Sequence, residues 1–111
     1  MNLFGKENLV AYNKAIRDKI PQIIQSSGKN YDVKKLDDSK FLIELEKKLV
    51  EELKEYEMSK NVEELVDVLE VIYRICELKG ISSNELDKIR NTKAEKRGKF
   101  DDNLFLIDAE K

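Results

Sequence analysis

Apolar residues recur at helical spacing along most of this chain, and the phase of that recurrence divides it into segments. Leu42, Leu45, Leu49, Leu53 and Tyr56 advance three or four positions at a time, which predicts one stripe on a long helix ending near Met58. Asp37, Asp38 and Ser39 offer its N-cap. After a break at Ser59-Lys60-Asn61, a second helix is expected from the cap Asn61 to about Lys79, with Gly80 as its left-handed stop. Its apolar residues, from Val62 and Leu65 through Val68, Val71 and Ile75 to Leu78, cover most of its circumference. Such a helix has to be enclosed, either by its own chain or by a second subunit. Ser82 and Glu85 match a capping box and open a third long helix to about Arg97, where Gly98 ends it.

The flanks are less regular. Asp18 to Ser27 reads as a short helix, with Asp18 as cap, Pro21 in the first turn and Gly28 as stop. Met1 to Arg17 carries no clear pattern, and Gly28 to Asp38 reads as a connection with Tyr31 to Val33 extended. Phe100 to Ile107 is a tail whose Leu104, Phe105, Leu106 and Ile107 are expected to pack back on the body, a short strand being one form. The expectation is an all-α fold: a helical hairpin core of long helices with a short N-terminal helix, one domain over residues 1–111 and more than half helical.

Composition removes several classes of function. A net charge of −2 leaves no basic footprint, so no nucleic-acid partner is expected. No apolar run approaches the roughly 20 residues that span a bilayer, so no membrane association is expected either. The single cysteine, Cys76, has no partner for an internal disulfide, which makes a reducing cytoplasm the default location. With no histidine, chemistry has to run on carboxylates, lysines, arginines, hydroxyls and a metal.

Four carboxylates stand out against 23 acids, most of which should be solvated surface. Glu52 and Glu55 lie three apart, as do Glu64 and Asp67, so each pair shares a helix face. A hairpin would bring all four together. Glu63, Glu70 and Glu77 instead repeat every seven residues as a solvated face, with Glu70 and Arg74 spaced for an ion pair. Glu52 departs most from a surface role, because at about 100° per residue it falls among Phe41, Leu45, Leu49 and Tyr56 on the core stripe. A buried carboxylate needs a cation or a donor. Clustered carboxylates also oppose one another's ionisation, and a hard cation such as Mg²⁺ relieves that while binding phosphates. The geometry therefore suggests metal-dependent phosphate chemistry, with an ordinary acidic surface as the alternative.

These residues resemble the MazG-like nucleotide pyrophosphohydrolases, all-α NTP pyrophosphatases marked by E-E-x-x-E followed by E-x-x-D. The first half is Glu51-Glu52-Leu53-Lys54-Glu55 and the second Glu64-Leu65-Val66-Asp67. The gap between them is short for the group but similar in a branch described as phosphoribosyl-ATP pyrophosphohydrolase-like. That branch also opens with a phrase like Tyr12 to Pro21, continues like Glu64 to Ile72 and closes near Lys93 to Phe100. The likeness spans about residues 12–106.

The resemblance implies a helical core completed by self-association as a homodimer or homotetramer. It implies Mg²⁺, with Mn²⁺ as an alternative, and hydrolysis of a nucleoside triphosphate between the α and β phosphates, giving monophosphate and pyrophosphate. By motif position Glu52, Glu55, Glu64 and Asp67 are metal ligands, and Glu51 positions water or supports the ligands. Glu51 and Glu55 are the candidates for the base that accepts the proton of the attacking water. Asn91, Lys93 and Arg97 match an Asn-x-Lys…Arg-Phe-like element, although here the phenylalanine, Phe100, comes three residues after the arginine. Lys93 and Arg97, four apart, would clamp the distal phosphates; the simpler reading is that they complement a helix C-terminus. Arg17 is a further phosphate candidate. The shared acids leave two alternatives open: phosphoribosyl-ATP pyrophosphohydrolase of histidine synthesis, and a non-catalytic helical interaction or regulatory module.

Overall fold

Capping residues set the helix boundaries. The computed structural model describes residues 9–111, so the first eight positions of the Met1 to Arg17 stretch lie outside the described residues. Among these, four helices and no strand are found: α1 (Ile20–Ser26), α2 (Asp38–Ser59), α3 (Val62–Leu78) and α4 (Ser83–Arg97). Together they hold more than half of the chain. Asp37 caps α2 by accepting from the Lys40 N–H and the Ser39 hydroxyl, and these bonds hold its carboxyl below its ordinary value. Asn61 caps α3 through the Glu63 N–H. Ser82 and Glu85 form both halves of the capping box on α4.

Between α2 and α3 the chain turns within two residues. Lys60 takes a left-handed conformation (φ 58°) and donates its N–H to the Tyr56 carbonyl, closing α2 before Asn61 opens α3. The two helices then pack along their length, whereas α4 meets only α3, and lightly. Leu45 and Val71 form the buried centre with Ala15, flanked by Phe41, Leu49, Ile75 and Leu78. Ala15 lies in the irregular stretch before α1, so the N-terminal segment is pinned to the α2–α3 pair.

Three expectations are corrected. Asp18 does not cap α1: the Ile20 N–H donates to the Arg17 carbonyl in a preceding turn, the helix begins at Ile20, and its cap position, Lys19, makes no side-chain cap bond. The tail does not pack back and forms no strand, and Phe100 and Phe105 are 97% and 90% exposed. Its carrier, α4, meets α3 lightly and α2 not at all, so the tail is not led back along the α2–α3 pair. Arg74 reaches Glu77 at 3.6 Å rather than Glu70. The described residues contain no helix long and apolar enough to cross a membrane.

Because so few side chains are fully enclosed, each one carries much of the stability. Leu45→Ala is expected to cost about 2–5 kcal/mol in urea unfolding, the usual range for a buried leucine. Met58→Ala, at 88% exposure, should change stability by less than about 0.5 kcal/mol.

Candidate metal centre

Near the connection between α2 and α3 the side chains of both helices converge on carboxylates. Glu52 follows Leu45 by seven positions, so the phase that buries Leu45 also buries Glu52, which is 6% exposed. Opposite it, Glu64 shares the α3 face of Val68, Val71 and Ile75, and Asp67 lies one residue to the side. Carboxylate oxygens of Glu52, Glu64 and Asp67 come within 4.8 Å of one another, and so do those of Glu51, Glu52 and Glu55. Two triads thus share Glu52. The four acids of the paired motifs are divided between them, with Glu55 grouped with Glu51 on the α2 side.

Cations surround this cluster unevenly. Lys48, one turn before Glu52, approaches its Oε1 at 3.3 Å and Glu51 at 3.8 Å. Lys14 donates to Glu51 at 3.0 Å. Arg17 donates to Asp67 at 2.6 Å. Glu52 Oε2 is buried, and no donor among the described residues reaches it. Burial pushes the Glu52 carboxyl above its ordinary value, the neighbouring Glu55 pushes the same way, and Lys48 pulls it back in part. Glu51 shifts downward, chiefly because it accepts from Lys14. Lys14 is raised by the same contact.

These donors suit a hard divalent cation: all are carboxylate oxygens, they converge from two helices, and one buried oxygen has no other partner. Of the other site candidates, Arg17 is at the cluster. Asn91, Lys93 and Arg97 are not brought to it: they lie exposed on α4, which does not touch α2. Lys93 and Arg97 line a shallow surface depression with Lys88, Ile89, Thr92 and Lys96. Lys48 and Lys14 were missed. The spacing of Lys48 to Glu52 could have revealed the first, whereas Lys14 lies 37 positions before its partner and no local pattern joins them. No family model, curated protein or solved structure matches the chain.

The raised Glu52 carboxyl gives a signed pH prediction. A folded-state value above the ordinary 4.5 means that the cost of ionising Glu52 is absent below about that pH and appears as pH rises through the raised value. In EDTA, Glu52→Gln should therefore be more stable than wild type at pH 7, and the difference should vanish near pH 4. Urea titrations at both values check this. Glu70→Gln, on the exposed face of α3, should match wild type at both.

Proposed function

We propose that this chain is a Mg²⁺-dependent nucleoside triphosphate pyrophosphohydrolase of the MazG-like kind, cleaving between the α and β phosphates in a house-cleaning role. The observation that carries this reading is the buried Glu52, shared by two carboxylate triads and left with one unpartnered oxygen. Surface acids explain neither its burial nor its convergence with Glu64 and Asp67. Glu52, Glu55, Glu64 and Asp67 would hold the ion, with Mn²⁺ as the alternative. When bound, it supplies phosphate charge neutralisation and a water acidic enough to attack at neutral pH. Glu51 or Glu55, beside Glu52 on α2, would accept the proton of the attacking water. Positioning and charge compensation then do most of the remaining work, as phosphoryl-type chemistry requires.

Self-association belongs to the same proposal. The Cα radius of gyration is 19.2 Å, against about 13 Å for a compact chain of this length. Leu53 on α2 and Leu65, Val66 and Leu69 on α3 are exposed, as are the apolar side chains of the tail. A second copy covers that surface, completes the helical hairpin core, and is the means by which Asn91, Lys93 and Arg97 reach phosphates held at the acids. The assembly is a homodimer or a homotetramer, and sedimentation should find no monomer at micromolar concentration. Leu69→Asp should shift the distribution toward monomer.

Product analysis tests the reaction. A panel of nucleoside triphosphates and phosphoribosyl-ATP, incubated with Mg²⁺, should yield nucleoside monophosphate and intact pyrophosphate from at least one triphosphate. Activity should disappear with EDTA and fall at least 100-fold in Asp67→Asn, the scale expected for lost charge stabilisation. Cleavage confined to phosphoribosyl-ATP moves the assignment to that substrate. Orthophosphate released first, turnover without divalent metal, or no turnover across the panel overturns the reading.

A further inference from the structure

The N-terminal segment crosses the acidic cluster in a way that the proposed chemistry does not require. Asn13 turns the chain in a left-handed conformation (φ 46°), and Ala15 two residues later is buried against Leu45 and Val71. On either side of that pin a cation reaches out: Lys14 to Glu51 on α2, and Arg17 to Asp67 on α3. Each cation takes a different helix and a different triad. The backbone is thus anchored by an apolar contact, while both charged side chains are tied by partly exposed ion pairs, Lys14 lying also 5.8 Å from the centre of the Tyr12 ring. Such pairs are weak, and exchanging either partner shifts an equilibrium by no more than about fivefold.

We propose that Lys14 and Arg17 form a cationic latch: they neutralise Glu51 and Asp67 until a divalent cation takes their place, and are then released to bind the substrate's phosphates. This rests on the metal-binding half of the proposed function. Arg17 and the divalent cation compete for Asp67, which belongs to the triad of Glu52, the residue whose Oε2 is buried and unpartnered. Ala15 stays in the core during the exchange, so the freed side chains remain beside the metal instead of drifting into solvent. The ligand class for the freed latch is a polyphosphate chain, because an ammonium and a guanidinium held either side of one pin match successive phosphates. By linkage, whatever the latch contributes to the metal-free state it subtracts from metal affinity.

Calorimetric titration of Mn²⁺ into the full chain tests this, comparing wild type with Arg17→Gln, Lys14→Gln and the control Lys54→Gln. Lys54 is an exposed cation of α2 that makes no ion pair among the described residues, so it measures the effect of net charge alone. Both latch variants should bind Mn²⁺ roughly fivefold tighter than wild type, and Lys54→Gln should stay within about twofold. With Mn²⁺ saturating, the order reverses for inorganic tripolyphosphate, which the latch variants should bind roughly fivefold more weakly. Wild-type protein supplies a readout that needs no variant: trypsin should cut after Arg17 faster with Mn²⁺ than with EDTA, while cleavage elsewhere slows. Arg17→Gln binding Mn²⁺ no tighter than Lys54→Gln, or slower cleavage after Arg17 with Mn²⁺, overturns the latch and leaves the metal site standing. No Mn²⁺ binding by wild type at millimolar concentration overturns both.

Discussion

A carboxylate placed at the seam of two helices sets the terms for everything around it. Glu52 occupies a position that the helical repeat assigns to the core, and its neighbours along α2 are Leu45 and Leu49. An isolated charge there would be strongly unfavourable, and an apolar residue of the same size would pack at no such cost. The compensation is spread widely: Lys48 in the same helix reaches Glu52 itself, and Lys14 and Arg17 from the N-terminal segment offset its neighbours Glu51 and Asp67. Even so, Glu52 Oε2 is left buried with no donor among the described residues.

The same constraint bears on the placement of residues 9–19, which have no regular structure. Ala15 is the residue that this segment buries in the core, Leu9, Val10 and Tyr12 are exposed, and no ladder of backbone bonds supports it. Two of its cations, Lys14 and Arg17, find partners where acids from two helices meet. Charge balance at the cluster and placement of the segment are therefore one event, and neither α2 nor α3 provides it alone.

Legibility in the sequence followed the range of the interactions. Helices α2, α3 and α4 could be read because their caps and apolar phases are local, and Asp37, Asn61 and Ser82 each act within three residues. The convergence of Glu52 with Glu64 and Asp67 was legible too, because a short connection between two phased helices leaves little freedom. Lys14 and Arg17 reach across 37 and 50 positions, and no spacing rule describes such a contact. The tail misled for a related reason. Leu104 to Ile107 has the composition of a buried segment, but composition does not say whose surface buries it.

The left-handed Lys60 keeps the corner between α2 and α3 to two residues, which leaves the register of the two helices little freedom. Within α3, each residue counts for about 100° of rotation. A single residue inserted between Asp67 and Val68 would therefore turn Glu64 and Asp67 away from the face of Val68, Val71 and Ile75 while leaving α3 helical. Seven residues inserted at the same point, about two full turns, would nearly restore the angle but carry both acids about 10 Å along the axis.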